Sequence, residues 1–241
     1  MYPGAGLYSG ARKGCTMSHR PFFNRRDAGR QLAAHLWDYR EVPGLLVLGL
    51  ARGGVPVAYE VAAALGADLD VLVVRKLGVP GQDELALGAI APGGVRVLNE
   101  PIVRSCGVSE AQIAAVVAVE ERELQRREVL YRGERPRTPV CRRSVLLIDD
   151  GLATGATMHA AVEWVRTQQP VRLIAAVPVA APSALIALQP LVDELVCPLA
   201  PGNFTSVGLW YADFSQTSDS EVQQLLATAV RHPSDSPGTP R

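Results

Sequence analysis

The stretch Val145–Thr157, V-L-L-I-D-D-G-L-A-T-G-A-T, constrains this chain more than any other. Four branched apolar residues in a row describe a strand buried on both faces of a parallel sheet. Asp149 and Asp150 close that strand. Gly151, Leu152, Ala153, Thr154, Gly155, Ala156 and Thr157 then lead through a compact loop into a helical pattern that begins near Ala156. A strand, a tight loop and a helix N-terminus leave backbone N–H groups without partners, and these donors and the helix dipole together favour an anion. Thr154 and Thr157 add hydroxyl donors, and the two glycines permit close approach and positive φ. Carboxylates beside such a loop would repel a bare phosphate, but they suit the vicinal hydroxyls of a ribose or a Mg²⁺ ion. Phosphate at one end and diol at the other describe a ribose 5-phosphate.

An apolar strand, two acids and a T-G-x-T loop resemble the motif with which type I phosphoribosyltransferases bind phosphoribosyl pyrophosphate (PRPP). The resemblance extends over roughly Phe23 to Leu226. It implies an α/β fold with a mostly parallel central sheet flanked by helices, and a small C-terminal hood. The ligand would lie outside the carboxyl ends of the strands. It also implies Mg²⁺ as cofactor, held by Asp149 and Asp150 with help from PRPP and water. PRPP and a nucleobase-like acceptor would be the partners, in cytoplasmic nucleotide salvage.

The rest of the chain adds to this picture. Leu45 to Leu50 is a second apolar strand ending at Ala51-Arg52-Gly53-Gly54, with a helix from Pro56 to Leu65 behind it. Proline suits a first helical turn. In the family such a loop holds pyrophosphate; Arg52 would supply a fork of donors beside Gly53 and Gly54. Alternatively, the glycines serve only a βα turn. Leu69 to Val74 completes a strand–helix–strand step, which predicts a right-handed parallel unit, and it ends at Arg75-Lys76. The glycine-rich segment Leu77–Ala91, which holds Pro80, Asp83 and Glu84, reads either as a mobile loop or as a surface hairpin leading into a strand at Val95–Leu98. The resemblance favours a loop that closes over the reacting centre, with Arg75 and Lys76 facing pyrophosphate and Lys76, Asp83 and Glu84 on the catalytic loop.

Helices are expected over Asn24–Tyr39, over Ser109 to about Arg127 with Ser109 as N-cap, from the motif to Gln168, over Pro182–Leu188 and over Asp219–Val230. Strands are expected at Val171–Val177 and Leu191–Val196. Phe204, Trp210, Tyr211 and Phe214 fall within eleven residues of each other. Either they form the hood, about 197–215, that stacks on the base, or they bury the final helix. Residues 1–20 read as a disordered extension, residues 21–231 as the domain, and residues 232–241 as a Pro/Ser-rich tail or linker that could precede another domain. A homodimer is left open.

Composition excludes several classes. Formal net charge is zero, so no footprint for nucleic acid or an anionic membrane appears. Only Lys13 and Lys76 are lysines, against 24 basic residues in all, which draws mild attention to Lys76. Cys15, Cys106, Cys141 and Cys197 form no C-x-x-C pair, so they read as reduced thiols. No apolar run reaches the roughly 18 residues of a membrane span. G-L-A-R-G-G is not the G-x-G-x-x-G of a dinucleotide oxidoreductase, and no G-x-S-x-G marks a serine hydrolase. A PRPP-sensing regulator that binds without turnover, acting through a protein partner, is the remaining rival.

The acceptor is half legible. In the 6-oxopurine members the residue before T-G-x-T is an aspartate; here it is Ala153, which offers no acceptor to an imidazole N–H. D-D-x-L-A-T-G-x-T instead resembles the adenine-type motif. The glutamate that adenine-type members carry in the flexible loop aligns with Gly88 here, leaving Glu84 or Asp83 as substitutes.

Overall fold

Continuous apolar runs become the inner strands of a parallel sheet, and the segments between them become its covering helices. The computed structural model describes residues 21–229. The expected N-terminal extension, the tail and Val230 therefore lie outside the described residues. In chain order the elements are α1 (Arg25–His35), β1 (Leu46–Leu50), α2 (Gly54–Leu65), β2 (Asp68–Leu72), β3 (Arg75–Val79), β4 (Gln82–Ile90) and β5 (Arg96–Leu98). There follow α3 (Glu100–Cys106), α4 (Glu110–Arg132), β6 (Ser144–Ile148), α5 (Ala156–Thr167), β7 (Arg172–Ala176), α6 (Pro182–Leu188), β8 (Glu194–Val196) and α7 (Asp219–Ala229).

The main sheet has the order β2-β1-β6-β7-β8 and every pair in it is parallel. This is the expected α/β class. Alternate residues of each strand serve opposite faces. Leu46, Leu48, Leu50, Val145 and Leu147 pack beneath α5 and α6, while Val47, Leu146, Ile148 and Ile174 pack against α1 and α2. Each fully buried leucine or isoleucine of this kind contributes about 1.5–3 kcal/mol. Because Leu46 pairs with Val145 and Gly49 with Ile148, the carboxyl ends of β1 and β6 are level. Their loops therefore emerge side by side.

Several boundaries differ from expectation. The first helix stops at His35 and continues as a 3₁₀ turn over Trp37–Glu41. The second starts at Gly54, two residues before Pro56. The long helix runs on to Arg132, with the expected Ser109 cap closed into a capping box by Gln112. The last expected strand begins only at Glu194, after a 3₁₀ turn at Gln189–Leu191. The short α3 was not expected at all.

At Leu77–Ala91 the structure takes the hairpin of the two expected readings and not the mobile loop. This segment is mostly strand: β3 and β4 form an antiparallel hairpin through a turn at Pro80–Gly81, and β5 adds to β4. Leu77, Val79 and Leu87 are buried in a cluster with Ile113 and Leu124 of α4 and Val222 of α7, and that burial holds the segment as sheet. Its Gly88 is a close-approach glycine, since a Cβ there would lie 2.2 Å from the Val97 carbonyl oxygen.

Residues 197–215, the expected hood, form an irregular segment with one 3₁₀ turn at Val207–Trp210. It is bound to the start of the domain: Phe22 N–H donates to the Trp210 carbonyl and Ala212 N–H to the Phe22 carbonyl. Among the described residues, no helix is long and apolar enough to cross a membrane.

Candidate functional site

The level carboxyl ends of β1 and β6 open into a cleft of about 680 Å³. The whole run Asp149–Met158 lines it, together with Ala51, Arg52, Gly53, Arg75 and Lys76. Two loops distant in sequence thus meet as the motif chemistry requires, and glycines let them touch. A Cβ on Gly53 would lie 2.1 Å from Asp150 Oδ2, and one on Gly54 would lie 2.5 Å from the Ile148 carbonyl oxygen. Gly54 is buried at the start of α2 and does not line the cleft; its part is this close packing. The Ala51–Arg52 peptide is cis.

The loop Gly151–Thr157 is pinned from behind. Leu152 N–H donates to the Val179 carbonyl, and the Leu152 carbonyl accepts from Ala181 N–H. The Leu152 side chain belongs to the core, so this residue fixes the loop. Gly155 takes φ +77° as the N-cap of α5 and has no side chain to cap the helix, and Thr154 Oγ1 accepts the Ala156 N–H at 3.5 Å. The first N–H groups of α5 therefore lack intrahelical partners at the cleft wall, with Thr154 and Thr157 beside them.

The two aspartates differ. Asp149 Oδ1 accepts the Asp150 N–H at 2.9 Å. Burial pushes the Asp149 carboxyl well above the usual carboxylate range and the Asp150 charge adds to this, while Lys76 and Arg25 oppose it. Asp150 Oδ2 accepts from Arg25 Nε at 2.7 Å. Burial raises its carboxyl as well, and the Arg25 guanidinium pulls it back. Arg25 is itself fixed: its Nη1 donates to the Ser215 carbonyl at 2.6 Å, and its guanidinium sits 3.9 Å above the Phe214 ring.

Arg52 lies on the cleft wall with Nη1 3.6 Å from Asp219 Oδ1. Arg75 lies there too, its Nε donating to Glu120 Oε2 at 2.7 Å. Lys76 is exposed on β3 at the cleft edge. Asp83 and Glu84 lie in β4, so they sit on a strand and not on a loop; their side chains fall outside the described residues.

The hood aromatics do not act as one group. Phe214 alone among the four lines the cleft. Tyr211 is fully buried between Phe22 and Phe214, and its hydroxyl donates to the Asp150 carbonyl at 2.6 Å. It buttresses the acidic loop and cannot stack on a base. Phe204 and Trp210 pack around the same small cluster, which joins the hood to the start of α1 and not to the final helix. The hood reaches the cleft instead through Ser206, Val207 and Gly208, followed by Gln216 and Thr217. Sequence reasoning missed these, and above all it missed Arg25, which is 125 residues from its partner Asp150.

With this geometry in place, comparison with known proteins is informative. A family model described as the phosphoribosyl transferase domain matches residues 25–209. Curated proteins of two Mycobacterium tuberculosis strains, each named "Putative phosphoribosyl transferase", are 47% identical over 210 residues, 87% of this chain. The chain spans about half the length of these relatives, 47%. The crystal structure of the protein TT1426 from Thermus thermophilus superposes with a TM-score of 0.72 at 41% identity, covering 86% of this chain and 98% of that one.

Proposed function

From the premise that the chain belongs to the phosphoribosyl transferase family, we propose that it is a pentosyltransferase. It binds Mg·PRPP and transfers the phosphoribosyl group to a nitrogenous base with release of pyrophosphate. The observation that carries this reading is the placement of Asp149 and Asp150 beside the N-terminus of α5 in one cleft, with Arg52, Arg75 and Lys76 on the same walls.

The leaving group at the anomeric carbon of PRPP is already good, so no covalent intermediate on the protein is needed. Departure of pyrophosphate builds positive charge on the ribose ring and negative charge on the leaving oxygens. The N–H groups and hydroxyls of Gly151–Thr157 anchor the 5′-phosphate. Asp149 and Asp150 accept from the ribose hydroxyls and favour the cationic ring. Arg52, Arg75 and Lys76 meet the growing charge on pyrophosphate with donors that are already in place.

The donor set suits Mg²⁺. Two half-buried carboxylates stand side by side, Asp150 bonded to Arg25, and burial disfavours the charged form of both, a cost that a bound cation relieves. Among the described residues no group of three or more His, Cys, Asp or Glu could hold a metal. Mg²⁺ characteristically takes one or two carboxylates and completes its shell with substrate phosphates and water. Asp149 and Asp150 would hold it, and when bound it neutralises the pyrophosphate charge.

For the acceptor, Ala153 beside the phosphate loop disfavours hypoxanthine and guanine, and adenine is the first candidate. One observation favours a second reading, a PRPP-sensing regulator acting through a protein partner. The position aligned with the adenine-type glutamate is Gly88, whose packing against Val97 leaves no room for a side chain. Pyrophosphate release from Mg·PRPP, measured with adenine, hypoxanthine, guanine, uracil and orotate, separates the readings. Adenine should lead; a faster 6-oxopurine overturns the inference from Ala153, and silence on every base with PRPP still bound selects the sensor. Asp149→Asn with Asp150→Asn should abolish calorimetric binding of Mg·PRPP, and unchanged affinity would remove the basis of both readings.

A further inference from the structure

The two arginines on the pyrophosphate side of the cleft are each held from outside it by one acid of a covering helix. Arg52 Nη1 lies 3.6 Å from Oδ1 of Asp219, in the first turn of α7. The same Oδ1 accepts the hydroxyl of Tyr131, a fully buried residue of α4, at 2.5 Å. Arg75 Nε donates at 2.7 Å to Oε2 of Glu120, an α4 residue further from the cleft. Neither acid lines the cleft.

Both pairs are one-ended. A guanidinium carries five N–H donors in a fixed plane, and each acid meets it through a single nitrogen. Such a contact sets the direction of the fork, and neither guanidinium makes a further side-chain hydrogen bond among the described residues. The supports are firm: α4 and α7 share an apolar cluster with β3 through Ile113, Leu124, Leu77, Val222 and Leu225. An anion in the first turn of α7 is also favoured by the helix dipole.

We propose that Asp219 and Glu120 are positioning residues for the pyrophosphate group, aiming Arg52 and Arg75 across the cleft, with the Tyr131 hydroxyl fixing the carboxylate of Asp219. The proposal rests on the reading of this cleft as a PRPP site. It makes the outer helices α4 and α7 part of the binding device. A guanidinium already aimed loses less rotamer freedom on capturing its anion, so the effect appears in affinity for the leaving group.

Calorimetric titration of the full chain with Mg·pyrophosphate tests this. Asp219→Asn and Glu120→Gln should each weaken binding roughly tenfold, the scale of one charge-assisted contact. Asp219→Asn should add little to Arg52→Ala, because both remove the same interaction. Asp219→Glu should restore most of the affinity, which a merely structural role would not predict. Affinity that is unchanged or tighter in Asp219→Asn, or losses that sum fully with Arg52→Ala, would overturn the proposal. Should Asp219→Asn fail to fold, Tyr131→Phe decides, and unchanged affinity there counts against it. If the wild-type chain binds Mg·PRPP while the acid variants are normal, only this inference falls. If it binds neither Mg·PRPP nor Mg·pyrophosphate, the proposed function falls with it.

Discussion

Gly53→Ala is the sharpest probe of how the two ligand loops fit together. Gly53 has φ −60° and ψ −33°, ordinary for alanine, so the substitution carries no backbone strain and isolates one contact. The new Cβ would stand 2.1 Å from Asp150 Oδ2, 2.8 Å from its Cγ and 3.1 Å from Arg25 Nε. Real Cβ contacts essentially never fall under 3.0 Å, so the carboxylate must retreat by about 0.9 Å. Moved straight away from the new Cβ, Oδ2 goes from 2.7 Å to about 3.0 Å from Arg25 Nε, so the Arg25–Asp150 bond is lengthened and strained and not broken. A hydrogen bond between charged groups contributes about 1.5–3 kcal/mol. Complete loss would lower the melting temperature by roughly 3–12 °C at about 2–4 °C per kcal/mol for a domain of this size, so the lengthened bond should lower it by a part of that. Displacing Asp150 should also weaken Mg·PRPP roughly tenfold or more. Scanning calorimetry and isothermal titration read the two effects. Gly44→Ala is the control: its φ is +66° with no atom within 4 Å, so it should lose about 1–2 kcal/mol to strain and leave affinity alone. If Gly53→Ala keeps both its melting temperature and its affinity, the close contact between the loops does not hold the site together.

Three other outcomes follow from the same structure. Asp70 is buried, 3.3 Å from Arg132 Nε, and it accepts Thr138 N–H at 2.9 Å; Asp70→Ala should cost about 3 kcal/mol in denaturant unfolding, and a loss under about 1 kcal/mol would mean the pair is energetically neutral. Burial pushes the Cys197 thiol up to about 11, so its thiolate appears only as pH rises toward that value. At pH 8 roughly a thousandth is ionised, and iodoacetamide should label the exposed Cys106 and Cys141 well before it; equal rates by peptide mass spectrometry contradict this. The turn Pro80–Gln82 is exposed, and proteolysis there should slow when Mg·PRPP is added, whereas identical cleavage would make the hairpin a static element.

What the sequence disclosed depends on how locally each feature is encoded. β1, β6 and β7 were legible because both faces are buried and the apolar run is unbroken. The loop on the cleft wall was legible because its residues are contiguous, from Asp149 to Thr157. The β3–β4 hairpin was legible only as one of two readings, because Gly78, Gly81 and Gly88 look like flexibility when Gly88 in fact marks backbone packed on backbone. α3 escaped because it is seven residues long and buries none of them, so it leaves no periodicity. Arg25 gave no signal, since its partners Asp150 and Ser215 are 125 and 190 residues away. The hood aromatics could be counted, but which ring turns inward is decided by tertiary packing: Tyr211 went into the core and Phe214 to the cleft.

The attachment of the hood to the start of α1 has a consequence for the order in which the chain acquires its shape. The parallel sheet is complete once β8 has been synthesised, at Val196. Phe22 still waits for the Trp210 carbonyl and the Ala212 N–H, and Arg25 waits for the Ser215 carbonyl. At about 5–20 residues per second, the 190 residues between Arg25 and Ser215 separate these partners by roughly 10–40 s on the ribosome. From Val196 to Ser215, about 1–4 s at that rate, a nascent chain has its core strands and its paired acids but not the bracket that steadies them. The first helix made is among the last to be locked, so the binding cleft matures after the scaffold that carries it.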